Sequence, residues 1–368
     1  MRKDQQPHLV WVDVNKGILI LLVVLGHWVG ALNHITNGNY KWSCAMIYKV
    51  IYSFHMPAFF ILAGMTWNWR PNLTFQSFLY KKSVRLLVPY FIFGIISAAI
   101  YCGLRTLFSS NMAGVSSDTY YASKAQSISF LQLLYSLIGG HGIIANSVLW
   151  FLPCMFSVVL LYFLVEKSCR ACHTNILLLS GCVLLYAIFV RHDIKDLPWG
   201  FASVPKYLAS FLIGRILFSQ ISIESLFSFL GPKKMIFAII VLSIGYIGSV
   251  MIIPYRTLYP SKEWLCGIGI EFIYAVVGTA LVIGWAYVIS QSCIGTILEG
   301  VGNSSLGIMV VHKFPILAIQ SRMPSFNSIE GMFVPLSIVI FAIVSGMSYM
   351  VARIIQRFMP LMLGSTKR

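Results

Sequence analysis

The sequence has very little charge for its length, and acidic residues are the scarcest. Of its 368 residues 10% are charged, and 11 are Asp or Glu. Soluble domains carry roughly 25% charged residues, so this deficit excludes an ordinary soluble protein. Hydrophobic residues make up 58% of the chain, and its mean hydropathy is +0.80. The composition therefore indicates an integral membrane protein.

The hydrophobic runs lack the alternation of polar and apolar residues that marks the strands of a membrane β-barrel. They are continuous instead, and each approaches the ~20 residues that a helix needs to cross a bilayer. We therefore predict an all-α bundle of about ten transmembrane helices. It forms one domain over residues 1–368, with no fused soluble domain. The predicted spans are 17–35, 50–67, 84–104, 147–165, 175–191, 203–219, 235–253, 266–289, 304–320 and 333–352.

Basic residues outnumber acidic ones and give a net charge of +16. They are scattered at helix ends and form no stripe with interleaved aromatics, so we expect no nucleic-acid partner. More of them lie on one side, which the positive-inside rule assigns to the cytoplasm together with both termini. We predict a multi-pass protein of the cell (inner or plasma) membrane, of bacterial type, whose partners are lipids and an anionic cytoplasmic ligand. The residues on that side are Arg2, Lys3, Arg70, Lys81, Lys82, Arg85, Lys167, Arg170, Lys233, Lys234, Arg353, Arg357, Lys367 and Arg368.

The eight histidines include no pair at i,i+4, and no acidic residue lies within a helical turn of His27. This pattern does not favour a metal site, and none is predicted. An imidazole titrates near neutral pH and can take a proton from an attacking hydroxyl. The histidines inside apolar spans therefore favour general acid/base chemistry over metal chemistry.

A polar track is predicted along one face of the first span. Lys16 and His27 are eleven residues apart, which is three helical turns plus ~20° and a climb of ~16 Å. His34 follows seven residues later, within ~20° of the same stripe. His55 and His312 lie at similar depth in two other spans, so three histidines from three helices could converge. Alternatively, Lys16 only snorkels to the headgroups and His27 only bonds a neighbouring carbonyl.

Two other groups of charged residues are candidates. Glu271 is an acid inside an apolar span, where it could orient a histidine, hold an acceptor hydroxyl or pair with a structural cation. In YKKSVRLLVPY (80–90), Lys82 and Arg85 lie at i,i+3 on one helical face beside Lys81. Such a pair can clamp a phosphate, although basic residues also anchor helix ends at the cytoplasmic surface.

A segment at 105–146 is the longest connection between spans, and long loops are often functional. Within it, Phe130–Leu137 is predicted to form a short amphipathic helix on the membrane. The chain shows no inverted pair of broken helices of the kind found in secondary transporters, which disfavours a transport function.

Five stretches follow one another along the chain, namely VDVNKGILILLVVLGHW, YSFHMPAFFILAGM, KSVRLLVPYFIFG, LWFLPCMF and SLGIMVVHKFPIL. Together they resemble the acyltransferase-3 family of membrane acyltransferases. They cover about 300 residues, and the FHMP stretch is similar to the branch of fucose 4-O-acetylase-like proteins. The family's first-helix cation is often Arg, whereas this sequence has Lys16.

The resemblance implies a ten-helix bundle that passes an acyl group, usually acetyl, from cytoplasmic acyl-CoA to a glycan hydroxyl on the far side. It implies His27 as the catalytic residue with Lys16 as its partner. No cofactor is expected, because acetyl-CoA is the donor substrate and a surface polysaccharide or lipid-linked sugar the acceptor. The implied acyl-CoA-binding residues are Lys82, Arg85, Lys81 and Arg70. The candidate pocket or acceptor residues are His55, Trp150, Glu271, His312 and Asp13.

Two mechanisms and two alternative functions remain open from the sequence. His27 either deprotonates the sugar hydroxyl or carries the acyl group itself. The donor could be another thioester such as succinyl-CoA. A different class of protein, a transporter or flippase of glycan or lipid intermediates, also fits a polar bundle interior.

Overall fold

The computed structural model consists of helices joined by turns and short irregular segments, with no strand among the residues that it describes. In lipid, each backbone polar group needs a partner within the chain, and a helix supplies these partners locally. The described residues are 9–35, 41–68, 72–107, 130–140, 146–168, 172–194, 197–217, 231–253, 264–322 and 333–365.

Within these residues, fifteen α-helices are numbered in chain order. The same residues contain one π turn, Ser83–Leu87, between α4 and α5, and three short 3₁₀ turns, Ser147–Trp150, Pro198–Gly200 and Pro360–Leu363. The helices are α1 (Val10–Ile35), α2 (Lys41–Tyr52), α3 (His55–Met65), α4 (Phe75–Lys82), α5 (Val88–Leu107), α6 (Phe130–Ile138), α7 (Phe151–Ser168), α8 (Cys172–Arg191), α9 (Val204–Ile216), α10 (Pro232–Ile252), α11 (Trp264–Ser290), α12 (Cys293–Asn303), α13 (Ser305–Val311), α14 (Lys313–Arg322) and α15 (Phe333–Phe358).

Seven segments of the described chain are long and apolar enough to cross a membrane, and a bent helix pair raises the number to eight. The predicted number of ten is therefore not reached within these residues. The predicted span 175–191 is a shorter apolar helix, Asn175–Arg191. The predicted span 203–219 is the 13-residue α9, most of which is buried. A helix packed inside a bundle is as apolar as a spanning one, so composition alone does not distinguish them.

Three predicted spans contain breaks that hydropathy did not show. The second divides into α2 and α3 at Ser53, and the third contains the π turn. The ninth begins beyond a helix that the sequence reading missed, α12, which bends by 62° into the following helices at Ser304. Hydropathy does not detect such breaks because the residues on both sides are apolar.

Helix α1 is the centre of the bundle. It packs against α2, α3, α11, α12, α13, α14 and α15. The crossing with α12 is close, because a methyl group added at Gly302 would collide with the backbone carbonyl of Asp13. At the other end of α1, the indole of Trp28 donates to the carbonyl of Ser337 on α15, 3.2 Å away. The residues of α1 therefore reach most of the interior.

The predicted amphipathic helix at Phe130–Leu137 is confirmed as α6. Leu137 is buried, whereas Leu131 and Tyr135 are largely exposed. Most of the rest of the connection 105–146 lies outside the described residues.

Candidate functional site

A cavity of about 710 Å³ opens at the end of the bundle that carries Lys81, Lys82 and Arg85. This end is called the basic end below. The walls come from α1, α3, α4, the π turn, α7, α9, α12 and α13. Because α12 and α13 diverge at Ser304, Gly302, Asn303 and Ser305 form part of the wall. The broken helix therefore shapes the cavity.

Four cations line this cavity, namely Lys16, Lys81, Lys82 and Arg85, and no acidic residue is among the described residues of its wall. Lys82 lies over the ring of Trp67, with its Nζ atom 5.6 Å from the ring centroid. A π turn is frequent at functional sites and changes the direction of the side chains that it carries. Here it carries Arg85 into the wall. The structure thus brings together four of the predicted cations, whereas Arg70 lies outside the described residues.

Lys16 is held by the neighbouring Asp13. Its Nζ atom lies 2.8 Å from Asp13 Oδ1, one helical turn earlier. The side chain of Lys16 is 37% exposed and that of Asp13 is 10% exposed. Asp13, predicted as a pocket residue, therefore acts on the cavity by orienting Lys16.

The sequence reading missed the residues that hold the mouth of the cavity. The indole Nε1 of Trp67 donates to Glu166 Oε2 at 2.6 Å. Arg215 Nη2 lies 3.7 Å from the other oxygen of the same carboxylate. Glu166 from α7 and Arg215 from α9 thereby fix the ring under Lys82. These residues lie far apart in sequence, and Trp67 stands between the polar residues Thr66 and Asn68, so no local pattern indicated them.

The inner part of the cavity is apolar. Ile20, Phe59, Phe151 and Met309 line it. The rings of Phe59 and Phe151 meet edge to face, with centroids 5.6 Å apart. His27 is not part of the wall and lies seven residues beyond Ile20 on α1, about 10 Å along the helix. The cations of the cavity and the histidines therefore form two separate sites, and α1 contributes a residue to each, Lys16 to the first and His27 to the second.

The predicted convergence of three histidines is present around Tyr52. The ring centroids of His27 and His312 are 5.4 Å apart, and those of His27 and Tyr52 are 6.4 Å apart. Tyr52 in turn lies 4.5 Å from His55. Tyr52 was not among the predicted site residues, although it stands three positions before His55. The side chain of His34 lies outside the described part of the structure.

Two of these histidines are oriented by carbonyls of their own helices. His55 Nδ1 donates to the carbonyl of Ile51 at 2.8 Å, and His312 Nδ1 donates to that of Ile308 at 3.0 Å. Because a carbonyl only accepts, each Nδ1 atom carries the hydrogen, and Nε2 is the acceptor nitrogen of the neutral ring. The described residues contain no group of three or more His, Cys, Asp or Glu side chains able to hold a metal ion.

Glu271 occupies a separate polar cluster. It forms an ion pair with Lys206 of α9 and accepts a hydrogen bond of 2.9 Å from the hydroxyl of Tyr186. This is the structural pairing left open from the sequence, and Lys206 was missed because it lies within an apolar stretch. Trp150 packs against Tyr207, with ring centroids 5.5 Å apart, and precedes the cavity residue Phe151.

The profile of the family Acyl_transf_3, described as an acyltransferase domain, matches residues 9–353. The chain belongs to the acyltransferase-3 family. No curated protein and no solved structure matches it. As a member of that family with several apolar helices, the protein is a multi-pass membrane acyltransferase. Both the basic cavity and the histidine cluster lie inside the matched region.

Proposed function

We propose that the protein is an O-acetyltransferase that moves an acetyl group from cytoplasmic acetyl-CoA to a sugar hydroxyl of a surface polysaccharide or lipid-linked glycan. The cavity carries this proposal. Four cations line its wall, and no acidic residue is among the described residues of that wall. Its apolar inner part leads toward His27, which lies on α1 like the cavity residue Lys16. The acyltransferase family supplies the reaction class.

In this proposal the phosphates of CoA bind at the basic end, which faces the cytoplasm together with both termini. Lys81, Lys82 and Arg85 supply positive charge, and Arg85 has the planar fork that suits a phosphate. The uncharged pantetheine arm then follows Ile20 and Phe59 inward. The charged nucleotide remains at the membrane surface because removing its charges from water would cost several kcal/mol.

Acetyl is the favoured donor group because the inner wall of the cavity is apolar. A succinyl group would bring a carboxylate among Phe59, Phe151 and Met309, where burying a charge without a partner is unfavourable. The acceptor belongs to the class used by the fucose 4-O-acetylase-like branch, which the FHMP stretch resembles. It reaches the thioester from the side opposite the basic end.

His27 is the proposed catalytic residue, and two routes fit it. In the first, an imidazole nitrogen takes the hydroxyl proton while the sugar oxygen attacks the thioester carbonyl. The C–S bond breaks, and the CoA sulfur leaves and is protonated. In the second, the imidazole nitrogen attacks the thioester carbonyl, the C–S bond breaks, and CoA leaves as the thiol with the proton given up by the ring. The sugar oxygen then takes the acyl group from the ring, and the hydroxyl proton returns to the imidazole. Incubation with labelled acetyl-CoA and no acceptor separates them, because only the second route leaves label on the protein.

The decisive experiment measures transfer of labelled acetyl from acetyl-CoA to glycan in washed membranes. We expect His27→Ala to lower transfer by at least roughly 100-fold, the range for loss of a general base. Lys167→Ala is the matched control, because this exposed lysine lies at the same end outside the cavity. Full transfer by His27→Ala at normal protein levels would disprove the proposed role of His27.

The same membranes test the alternative of a transporter or flippase. The bent pair α12–α13 is the feature that favours this alternative, since transporters bind substrates at broken helices. If unmodified glycan crosses the membrane and no label is transferred to it, the protein is a transporter and not an acetyltransferase. Mass spectrometry of the surface glycans identifies the group added.

A further inference from the structure

His312 has an unusual environment for a buried polar side chain. It is completely buried, and it lies between α13 and α14. Its backbone N–H and its Nδ1–H both donate to the carbonyl of Ile308, each at 3.0 Å. The ring is therefore fixed with the hydrogen on Nδ1, and the lone pair of the neutral ring is on Nε2.

The Nε2 atom of His312 has no hydrogen-bond partner within the described chain. Leaving a buried polar atom unpaired is unfavourable, so native proteins seldom keep one without use. The ring of His27 is a neighbour of the His312 ring, with centroids 5.4 Å apart and planes inclined by 37°. An unpaired acceptor thus lies beside the proposed catalytic imidazole.

The distance between the two rings suits a hydrogen bond. Two imidazoles joined by an N–H···N bond of about 3 Å have centroids slightly more than 5 Å apart. His27 makes no hydrogen bond with the described residues, so its ring can rotate to align. Catalytic hydrogen bonds are often misaligned before substrate binds and tighten in the complex.

We propose that His312 is a positioning residue for His27. Its Nε2 atom accepts the ring N–H of His27, and the opposite nitrogen of His27 is thereby presented as the free base or nucleophile. This follows the logic of catalytic triads, in which a third group selects the tautomer and orientation of the base. The inference rests on the proposed acetyl transfer, and it serves either route for His27.

Two substitutions at position 312 test the roles of the two ring nitrogens of His312 one at a time. The side-chain amide of Asn overlies Nδ1, so His312→Asn keeps a donor for the Ile308 carbonyl and removes Nε2. The amide of Gln overlies Nε2, so His312→Gln keeps an acceptor toward His27 and removes the bond to Ile308. Both variants are compared with wild type for protein level, kcat and KM for acetyl-CoA.

We expect His312→Asn to accumulate normally and to lose roughly 100-fold or more in kcat, with KM for acetyl-CoA within about twofold of wild type. His312→Gln is expected to keep at least about ten times the kcat of the Asn variant, because an amide oxygen still accepts the N–H of His27. Near-normal kcat for Asn together with loss for Gln would overturn the inference, since it would show that only the bond to Ile308 matters. Equal loss in two folded variants would also overturn it.

A failure of this inference is distinguishable from a failure of the proposed function. If wild-type membranes transfer acetyl, His27→Ala does not, and His312→Asn does, then the function stands and His312 has no positioning role. If wild-type membranes transfer no acetyl from acetyl-CoA to glycan, the proposed function fails, and the inference fails with it.

Discussion

At the scale of single residues, the cations of the cavity differ in how they are held. Lys16 has a carboxylate partner in Asp13, whereas Lys82 has an aromatic one in Trp67. A cation held over an aromatic ring has no carboxylate in that contact to neutralise its charge. In the proposed function, Lys82 is therefore expected to bind a phosphate of acetyl-CoA.

Replacing Lys82 by Ala is expected to raise KM for acetyl-CoA roughly 10- to 100-fold with little change in kcat, because hydrogen bonds to charged groups contribute about 1.5–3 kcal/mol. Lys82→Arg should retain most of the affinity. Steady-state kinetics in detergent or in vesicles measures both constants, with Lys167→Ala as the control. An unchanged KM with a reduced kcat would contradict a phosphate-binding role for Lys82.

The ion pair between Glu271 and Lys206 is expected to contribute to the stability of the folded protein. Their side chains are 7% and 15% exposed, so removing one charge leaves the other buried without compensation. We expect Glu271→Ala to lower the free energy of unfolding by about 3–5 kcal/mol. The double variant Glu271→Leu with Lys206→Met should recover most of this loss. Thermal unfolding of the purified protein measures the effect, and an unchanged Tm for Glu271→Ala would rule out a structural ion pair.

At the scale of elements, the close crossing of α1 and α12 sets the position of Lys16. Gly302 lies against the carbonyl of Asp13, and Gly17 lies against that of Leu298. These contacts hold the part of α1 that carries Lys16 beside the broken helix. The sequence shows the glycines but not what lies against them.

Gly302→Ala is expected to destabilise the protein by about 1–3 kcal/mol, since an added methyl group forces the two helices apart. It should also reduce acetyl transfer, because Lys16 moves with α1. Gly245→Ala is the matched control, because a methyl group there would meet nothing within 4 Å. Equal Tm values for the two variants would contradict the close packing of α1 and α12.

A second element, near the C-terminal end of the chain, packs against the π turn that contributes Arg85 to the cavity wall. The 3₁₀ turn Pro360–Leu363 contacts α5, and Gly364 follows it with a φ of 66°. A methyl group at Gly364 would collide with the π turn, 2.6 Å from the Cα atom of Arg85. Leu363 is buried and anchors the turn. This C-terminal turn therefore buttresses the segment that carries Arg85.

Gly364→Ala is expected to raise KM for acetyl-CoA severalfold while kcat changes little. The substitution combines a strained left-handed conformation, costing about 1–2 kcal/mol, with a collision at Arg85. Leu361→Ala is the control from the same turn, because Leu361 is 66% exposed. If both variants keep the wild-type KM, the turn does not support the donor cavity.

At the scale of the whole molecule, the distribution of basic residues in the sequence predicts that the basic end of the bundle faces the cytoplasm. Two exposed cysteines test this orientation. Cys266 lies near the start of α11, and Cys293 begins α12 beyond the other end of α11. The two thiols are thus expected on opposite sides of the membrane.

In single-cysteine variants, a membrane-impermeant maleimide applied to intact cells is expected to label Cys266 and not Cys293. Permeabilised cells should label both, which controls for accessibility. Labelling of Cys293 alone in intact cells would reverse the orientation and place the basic cavity outside.

The family, the membrane location and the helical class followed from the sequence because they depend on composition and on local stretches. The family match confirmed the resemblance to acyltransferase-3 proteins and thus the acyltransferase class. The histidines were identified as candidates because burying an ionisable side chain in an apolar span costs free energy. The number of spans was not recovered, since α9 is as apolar as a spanning helix although it is short and buried. Helix α12 was missed because hydropathy does not reveal a bend.

The sequence by itself determined which side chains are polar within the bilayer and how residues on α1 share a face, because helical geometry is local. Only the tertiary structure decided which of them meet. Lys16 lines one cavity together with Lys82 and Arg85. Glu271 forms an ion pair with Lys206, and the ring of His312 lies beside that of His27. These contacts join residues distant along the chain, and they depend on where helices break and cross, which no local pattern encodes.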